Sequence, residues 1–410
     1  MVDRVPKGSP FDFDPEDSMS SPNGGSYTEP ARGHLAYRRM PIEKESPEEL
    51  GYDKIKYNLA ESSFTDGMWS DFEVDLSDLV LCYGDHLGNP QLRELIAAQG
   101  PGLSDHDVLV TPGAAAALFI VNTSLLRPGD HVIVAHPNYV TNVETPRAIG
   151  AQLELLPSVL EDRWRVDVEK LAQKMRPETR LVSLTSPHNP TGSVMPEEDL
   201  RRVLDLVEDR GCYLLFDETY RDLSFEEPPP LAAALSERAI SISSLSKAYG
   251  LPGLRVGWLI CRGQDIMETF LAAKEQIFIC GSVVDEALGY HCLKAREKLL
   301  AQIKPRVYAG FETVREWVEE TEYVEWVPPS GGAVCFPRIG SGVEVDLDRF
   351  YDVLIHEYGT LVGPGHWFEM DRRYMRVGFG WPSAEELEQG LQSISSALEE
   401  ATVSHELPRR

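Results

Sequence analysis

Short apolar runs recur through the middle of the chain, and segments with helical periodicity separate most of them. The apolar runs lie at residues 108–111, 131–135, 152–156, 180–185, 212–217, 239–243 and 256–261. A half-exposed strand alternates polar and apolar positions, and these runs do not. Continuous apolar runs are typical of a parallel sheet covered on both faces. The helical patterns include residues 113–126, 168–175 and 197–209. We therefore expect an α/β fold with a mostly parallel seven-stranded sheet sandwiched by helices.

The pattern changes after Gly281. A long helical stretch reaches about Glu319. Beyond it the pattern predicts two strands, a helix, a strand and a final helix, at residues 324–327, 332–338, 346–358, 373–378 and 383–398. This mixture predicts a smaller α+β domain.

The N-terminal residues differ from both regions. Residues 1–32 are rich in Pro, Gly, Ser and Asp, which predicts a mobile arm. Helices are expected to begin near Gly33 and near Ser46, where a serine cap precedes Pro47. We expect four parts, namely the arm at 1–32, a segment at 33–75 joining the small domain and the functional site, a large domain at 76–300 and a small domain at 301–410.

Composition narrows the class of protein. The chain has 410 residues, 42% of them apolar, which suits two packed units with a substantial core. Its net charge of −27 argues against binding to nucleic acid or to an anionic membrane. The pattern predicts no membrane span and no secretory signal. The six scattered cysteines form no C-x-x-C pair, so we expect free thiols, no metal site and a cytoplasmic location.

Lys247 is the strongest candidate for chemistry. It lies between the apolar run at 239–243 and a glycine-rich turn, and Arg255 follows eight residues later. A lysine shielded from water loses its proton more readily and can attack a carbonyl group. From the residues alone, a surface lysine after a strand is the alternative.

Two further polar groups follow predicted strands. Asp217 ends the run at 212–217, and Tyr220 comes three residues later. A carboxylate there can hold a cationic ring nitrogen, although a helix N-cap is the alternative. Asn189 lies in the turn Ser-Pro-His-Asn-Pro-Thr-Gly at 186–192, where it can donate from its side chain or simply form a turn.

Gly113, Ala114 and Ala115 lie between a predicted strand and a helix. Small residues at a helix N-terminus leave backbone N–H groups free to bind a phosphate, although they are also a common way to begin a helix. Ligands of parallel sheets bind at the carboxyl ends of the strands. We therefore expect the two turns at 113–115 and 186–192, Asp217 with Tyr220, and Lys247 to line one cleft.

Together these motifs resemble those of the fold-type I pyridoxal-phosphate (PLP) enzymes, specifically the class I/II aminotransferases. The matching blocks are Ser244, Lys247 and Arg255, the Asp217 to Tyr220 step, and the Asn-Pro-Thr-Gly turn. The resemblance runs from about Lys56 to the final helix. It implies that the large domain binds PLP and that a homodimer moves an amino group between an L-amino acid and a 2-oxo acid.

The resemblance also implies the roles of individual residues. Lys247 would form the Schiff base with the cofactor, and Asp217 would pair with its ring nitrogen. Tyr220 and Asn189 would hydrogen-bond the ring hydroxyl oxygen. The phosphate would be held by Ser244, by Arg255 and by the backbone at 113–115.

Three more residues match members of the family. Tyr139 corresponds to the aromatic residue that stacks on the cofactor ring, with an ordinary half-buried tyrosine as the alternative. Arg376 corresponds to the arginine that binds the substrate α-carboxylate, with a surface charge at a strand edge as the alternative from the residues alone. Tyr83 corresponds to the tyrosine that reaches the phosphate of the partner subunit, with a simple turn as the alternative.

Two departures from the family affect the function. Ala115 stands where many members have a hydroxyl-bearing residue. Glu61 stands where many have glycine near the substrate, which resembles a branch whose members hydroxylate or cyclise arginine-like amino acids; an exposed loop glutamate is the alternative. The leading hypothesis is an aminotransferase. A PLP-dependent hydroxylase, oxidase, cyclase or lyase is the second, and a non-catalytic sensor module is the third.

Overall fold

The computed structural model describes residues 35–72 and 74–403 of the chain. The predicted arm at 1–32 and the predicted helix start near Gly33 lie outside these residues. The strands are β1 Tyr57–Asn58, β2 Val108–Thr111, β3 His131–His136, β4 Gln152–Pro157, β5 Thr179–Thr185, β6 Tyr213–Asp217, β7 Ala239–Ser244, β8 Gly257–Ile260, β9 Val324–Glu325, β10 Val334–Cys335, β11 Arg338–Ile339, β12 Thr360–Leu361, β13 Gly363–Pro364 and β14 Met375–Gly378. The α-helices are α1 Pro41–Lys44, α2 Pro47–Leu50, α3 Pro90–Ala97, α4 Ala114–Leu125, α5 Val140–Ile149, α6 Val168–Lys174, α7 Glu197–Arg210, α8 Ala232–Leu235, α9 Gln264–Ile277, α10 Val283–Lys294, α11 Arg296–Glu320, α12 Leu347–His356 and α13 Ala384–Ala401.

Seven of these strands form one sheet in the order β2-β8-β7-β6-β5-β3-β4. The strands from β4 across to β7 pair in parallel. Only β8 breaks the pattern, because it runs antiparallel to both β7 and β2. The prediction of a mostly parallel seven-stranded sheet is confirmed, and each of the seven apolar runs forms one of its strands.

Strand β3 shows why the sequence lacks polar alternation. Val132 and Val134 pack on one face of the sheet with side chains of α4 and α9, and Ile133 packs on the other face with side chains of α6 and α7. All three valine and isoleucine side chains are fully buried. Burial of each such side chain contributes about 1.5–3 kcal/mol, so both faces of the strand select apolar residues.

Strands from both ends of the chain pair beside the C-terminal helices. β1 pairs in parallel with β12, and β14 pairs antiparallel with β10 and β13. Side chains of α11, α12 and α13 share one apolar core with those of β10 and β14. This arrangement agrees with the predicted α+β region. From Ala36 onward the described residues form one compact unit, and the domain limits at residues 33, 76 and 301 stay a prediction.

Some elements differ from the pattern-based expectation. The long helix predicted after Gly281 is two helices, α10 and α11, because the backbone leaves the helical region at Ala295. The strand predicted at 332–338 is divided into β10 and β11, and Pro337 between them has no N–H with which to continue a ladder. The helix α9 was not predicted.

Several features bear on the class of protein. No described helix is both long and apolar enough to cross a membrane. Within residues 35–72 and 74–403, no group of His, Cys, Asp and Glu side chains is arranged to hold a metal ion. The six cysteines are unpaired.

Candidate active site

One cavity of about 540 Å³ lies at the carboxyl ends of the parallel strands and brings together most of the predicted site residues. Of the predicted set, it is lined by Glu61, Ala114, Ala115, Tyr139, Asn189, Asp217, Tyr220, Ser244, Lys247, Arg255 and Arg376. Gly113 lies directly before the helix that contributes Ala114 and Ala115. Tyr83 does not line this cavity, and 79% of its surface is exposed.

Lys247 follows the carboxyl end of β7 and points into the cavity. The segment after Glu61 crosses the same turn, since the Phe64 N–H donates to the Lys247 carbonyl at 2.9 Å. As a result, Lys247 Nζ lies 3.4 Å from Glu61 Oε1. Burial lowers the pKa of Lys247, but the Glu61 carboxylate and the Tyr220 hydroxyl raise it, and the balance leaves this pKa above its ordinary value. The expectation that shielding alone makes this lysine lose its proton more readily does not hold beside Glu61.

Glu61 is held in the ionised form. Its Oε1 accepts hydrogen bonds from the Ser62 N–H at 2.8 Å and from the Ser63 hydroxyl at 3.4 Å. Burial raises the pKa of Glu61. The Lys247 ammonium and the Ser62 N–H lower this pKa by more than burial raises it, so it lies below its ordinary value. The residue therefore presents a charged carboxylate inside the cavity.

Asp217 ends β6 and is 5% exposed. Its Oδ1 accepts from the Thr219 hydroxyl at 2.6 Å and from the Thr219 N–H at 3.1 Å. Burial raises the pKa of Asp217 above its ordinary value, against the opposing effect of the Thr219 hydrogen bonds. A cation beside this carboxylate, such as a protonated ring nitrogen, would lower its pKa and favour the ionised form.

Tyr220 offers a buried hydroxyl to the cavity. Within the described ranges no group makes a well-formed hydrogen bond to it, although it is only 3% exposed. Burial raises the pKa of this hydroxyl. The cations Lys247 and Arg376 and the Ser62 side chain lower this pKa by a smaller amount. Because an unpaired buried hydroxyl is costly, this group is suited to bind a ligand oxygen in the cavity.

An anion cradle lies at the N-terminus of α4. Gly113 has φ +82°, and a Cβ atom there would lie 2.4 Å from Arg255 Nη2. A Cβ atom at Gly257 would lie 2.5 Å from the Ala114 nitrogen. The two glycines therefore let the Arg255 guanidinium and strand β8 approach the first turn of the helix, where free N–H groups and the helix dipole favour a phosphate. The buried Ser244 side chain lines the same cavity.

Arg376 lies in β14 and is 4% exposed. Its Nη2 donates to the Ala60 carbonyl at 2.7 Å, and its Nη1 donates to Asn189 Oδ1 at 3.2 Å. Burial lowers the pKa of Arg376. The glycine two residues further along the strand is also required, because a Cβ atom at Gly378 would lie only 1.9 Å from the Glu61 carbonyl oxygen.

The remaining predicted ring contact is Tyr139. It is the N-cap residue of α5, just beyond β3, and its half-buried side chain lines the cavity. This placement is consistent with the prediction that Tyr139 stacks on the cofactor ring. Thus all the predicted positions except Tyr83 lie in or beside one cavity.

Some lining residues were missed by the sequence analysis. They are Arg39, Ile42, Glu43, Ser46, Pro47, Glu48, Glu49, Ala60, Ser62, Leu118, Thr185, Thr219, Ser246, Pro252 and Trp367. Thr219 and Ser246 could have been found, because each is adjacent or nearly adjacent to a predicted residue and can hydrogen-bond locally. The residues from α1 and α2 carry no motif and reach the cavity only through the tertiary fold.

The donors and charges in the cavity fit PLP. A lysine, a buried carboxylate, an unpaired hydroxyl and an anion cradle together define a PLP-binding α/β enzyme. The chain matches the family described as aminotransferase class I and II over residues 73–394. It belongs to this family.

Individual relatives agree with the family. The chain is 33% identical over 329 residues to the capreomycidine synthase of Streptomyces vinaceus, covering 79% of this chain and 82% of that protein. It is 27% identical to an aspartate aminotransferase of Pyrococcus horikoshii, covering 77% of this chain and 83% of that protein. The solved PLP-dependent aminotransferase from Streptococcus suis superposes with a TM-score of 0.82 at 29% identity, covering 89% of this chain and 98% of that one. The predictions of a PLP cofactor and of an aminotransferase are confirmed.

Proposed function

We propose that Lys247, Asp217 and Arg376 carry out transamination between an L-amino acid and a 2-oxo acid in this cavity. The observation that carries the proposal is that all three line the same 540 Å³ space, with Lys247 at the end of one strand, Asp217 at the end of its neighbour and Arg376 on β14. When bound, PLP supplies an electron-withdrawing ring that makes the substrate α-carbon acidic. The protein residues supply charge, position and proton transfer.

Each residue has a distinct task in this proposal. The Asp217 carboxylate, fixed by Thr219, would hold a protonated ring nitrogen. The Arg376 guanidinium would hold the substrate α-carboxylate, since its planar fork matches carboxylate oxygens. The Lys247 amine would take the proton from the substrate α-carbon and return it as general base and acid.

The cofactor-holding residues complete the site. Tyr220, whose hydroxyl has no other well-formed partner in the described residues, and Asn189 would bind the ring hydroxyl oxygen. Tyr139 would stack on the ring. Ser244 and Arg255, with the N–H groups that open α4, would bind the phosphate.

A half-reaction tests the proposal. The protein loaded with PLP is mixed with single L-amino acids without any 2-oxo acid, and the visible absorbance of the lysine-bound cofactor is followed. We expect one amino acid or more to bleach this absorbance and to release one 2-oxo acid per cofactor, and a 2-oxo acid added later to restore it. In a Lys247→Ala variant neither change should occur. Full bleaching and recovery in that variant would contradict the role of Lys247.

A second candidate function rests on Glu61 and on the 33%-identical relative that is named a synthase rather than an aminotransferase. A carboxylate 3.4 Å from Lys247 can direct the proton to another substrate atom. In that case the amino acid would be converted without stoichiometric 2-oxo acid, in a hydroxylation, oxidation, cyclisation or elimination. Mass spectrometry of the products and an oxygen electrode distinguish the two outcomes in the same reaction mixture.

We also propose that the protein acts as a cytoplasmic homodimer. The apolar side chains of Met68, Trp69, Val80, Leu81 and Tyr83 are each more than 60% exposed, and Ile277–Ile279 adds further exposed apolar surface. Such surface is typical of a protein interface. Tyr83, which lies outside the cavity of its own subunit, would reach the phosphate of the partner.

Mixing two variants tests the shared site. Lys247→Ala and Tyr83→Ala proteins are mixed, dissociated and reassociated. If Tyr83 serves the partner subunit, hybrid dimers regain activity that neither variant has alone, because one of their two sites contains both residues. A monomer by light scattering, or no recovery in proven hybrids, would contradict the proposal.

A further inference from the structure

A largely buried carboxylate joins the two turns that carry Tyr220 and Lys247. Asp222 lies in the single helical turn Arg221–Leu223, which directly follows Tyr220. Its Oδ2 accepts a hydrogen bond of 2.5 Å from the hydroxyl of Tyr249, two residues after Lys247. The side chain of Asp222 is 12% exposed, and neither Asp222 nor Tyr249 lines the cavity. The contact therefore connects two turns that meet in the active site, without occupying the site itself.

The hydroxyl of Tyr249 is the donor in this contact. Tyr249 is 6% exposed, and burial raises the pKa of its hydroxyl well above the ordinary value. The Asp222 carboxylate raises this pKa further, so the hydroxyl keeps its proton and directs it at the carboxylate. A hydrogen bond to an ionised acceptor is about twice as strong as one between neutral groups.

Arg296 holds the Asp222 carboxylate from another direction. Its Nη2 donates to Oδ1 at 2.5 Å, and its Nε donates to Oδ2 at 3.4 Å. Two N–H groups directed at two oxygens fix the orientation of a carboxylate as well as its position. Burial lowers the pKa of Arg296, but Asp222 and the other acidic neighbours raise it above its ordinary value. Since Arg296 is the first residue of α11, this pair joins the start of that helix to both turns.

The same helix supports the Lys247 turn at a second point. The guanidinium of Arg306, on α11, lies 4.8 Å from the centre of the Phe64 ring. The Phe64 N–H donates to the Lys247 carbonyl at 2.9 Å. A Cβ atom at Gly250 would lie only 2.1 Å from the Thr65 carbonyl oxygen, so the two segments are in direct backbone contact. The turn is thus held by the segment at 64–65 and by Asp222, and α11 contacts both.

The position of this turn matters for the chemistry of Lys247. A lysine side chain has four rotatable bonds, so the place of its amine depends on where the backbone starts it. An error of about 1 Å in the position of a reacting group can reduce a rate by about 100-fold.

We propose that Asp222 is a positioning residue for Lys247. Through the Tyr249 hydroxyl it fixes the lysine turn relative to the Tyr220 turn, and Arg296 keeps the carboxylate in place. The inference rests on the role proposed above for Lys247. It assigns to Asp222 no contact with the cofactor or the substrate.

Capture of PLP by the lysine provides the first test. Cofactor-free Tyr249→Phe protein is mixed with saturating PLP, and the visible absorbance of the lysine-bound cofactor is followed. Capture should be about tenfold slower than in the wild type. The affinity for 4-deoxypyridoxine 5′-phosphate, which lacks the aldehyde and cannot react with lysine, should change by less than about twofold. An unchanged capture rate, or an equal loss of affinity for the unreactive analogue, would overturn the inference.

The direction of the change separates position from charge. If the variant only moved Lys247 away from Glu61, the pKa of the lysine would fall and capture would become faster. Slower capture therefore reports an amine that is poorly placed.

Tyr351→Phe is the matched control. The Tyr351 hydroxyl donates to the Arg372 carbonyl at 2.8 Å, and Tyr351 does not line the cavity. This variant also loses one tyrosine hydrogen bond, so its unfolding midpoint in urea should fall in a similar way. Its capture rate should equal that of the wild type. Equal slowing in the two variants would assign the effect to general loosening of the protein and contradict the role of Asp222.

A second variant tests whether Tyr249 acts through Asp222. Asp222→Asn keeps an acceptor for the hydroxyl but loses the charge, so capture should slow by about threefold. The Tyr249→Phe/Asp222→Asn double variant should be about as slow as Tyr249→Phe alone, because both changes weaken one contact. A double variant whose loss is the product of the two single losses would show that the residues act separately.

Kinetics of the PLP-loaded protein provides the last test. In Tyr249→Phe, kcat should fall about tenfold and KM should stay within about twofold, because the substrate contacts are unchanged. A loss confined to KM would overturn the inference. If Lys247→Ala captures PLP as the wild type does, the role of Lys247 fails together with this inference. Wild-type capture in Tyr249→Phe, with none in Lys247→Ala, would overturn the positioning role alone.

Discussion

The Nζ atom of Lys247 lies 3.4 Å from Oε1 of Glu61, although the two residues are 186 positions apart in the chain. Burial alone lowers the pKa of Lys247, and the Glu61 carboxylate together with Tyr220 more than reverses this effect. Glu61 therefore favours the ammonium form of Lys247 over the free amine, which is the form that attacks a carbonyl group.

Replacing Glu61 by glutamine should make the free lysine more reactive. The change removes the main group that raises the pKa of Lys247, so only the smaller effects of Tyr220 and Tyr139 would oppose the lowering by burial and by Arg376. We expect PLP to recombine with the cofactor-free variant about tenfold faster at neutral pH, and the rise of rate with pH to move to lower pH. Stopped-flow absorbance over a pH series measures both effects.

The matched control is Glu61→Asp, which keeps the negative charge. Its pH profile should lie near that of the wild type. An unchanged profile in the glutamine variant would show that Glu61 does not set the pKa of Lys247.

Replacing Asp217 by asparagine should impair catalysis more than folding. The amide keeps the size of the side chain and an acceptor for Thr219, but it cannot keep the ring nitrogen protonated. We expect kcat to fall by roughly 100-fold or more, as when a preorganised charge contact is removed. Thr219→Val, which deletes only the 2.6 Å hydrogen bond to Asp217, should cost about three- to tenfold. Equal losses in the two variants would argue against an electrostatic role for Asp217.

A methyl group at Gly113 should weaken cofactor binding. The new Cβ atom would lie 2.4 Å from Arg255 Nη2 and displace the guanidinium from the helix N-terminus. We expect the dissociation constant of PLP to rise at least tenfold, measured by fluorescence titration of the cofactor-free protein.

Gly102→Ala is a close control for that variant. Gly102 has φ +79°, similar to that of Gly113, but a Cβ atom there meets nothing within 4 Å. It should reduce the free energy of unfolding by about 1 kcal/mol and leave PLP affinity unchanged. If both variants lose the cofactor equally, backbone strain rather than the position of Arg255 is responsible.

Arg376→Lys should separate substrate binding from cofactor binding. Lysine keeps the charge but cannot contact both Ala60 and Asn189 and still present a fork to a carboxylate. We expect kcat/KM for amino acids to fall about 10- to 100-fold with normal PLP content. Arg372→Lys, at an arginine outside the cavity, should leave kcat/KM unchanged. A large loss of PLP in the Arg376 variant would assign this residue to the cofactor instead.

The sequence predicted the sheet and the cofactor end of the site because both depend on local signals. Continuous apolar runs are typical of strands buried on both faces, and the polar residues that follow β5, β6 and β7 must meet at one edge of a parallel sheet. The positions of Asn189, Asp217 and Lys247 were therefore predictable without knowledge of any contact.

The substrate end of the site depends on contacts between distant segments. Strands β1 and β12 have two residues each, too few to show any periodicity, yet they bring Ala60 and Glu61 to Arg376. Nothing in the sequence of α1 and α2 marks their glutamates as cavity residues. Their position follows from tertiary contacts such as that of Glu45 with Trp367.

The absence of a side chain at Gly378 has a consequence for how the enzyme can adapt. Because the strand that carries Arg376 touches the backbone of Glu61 directly, the span between the arginine and that loop is set by main-chain packing. Neither end can shift to suit a longer or shorter substrate. Adaptation to a different substrate length would then fall to α1 and α2, so a new specificity can arise by exchanging surface residues of two short helices while the catalytic core stays intact.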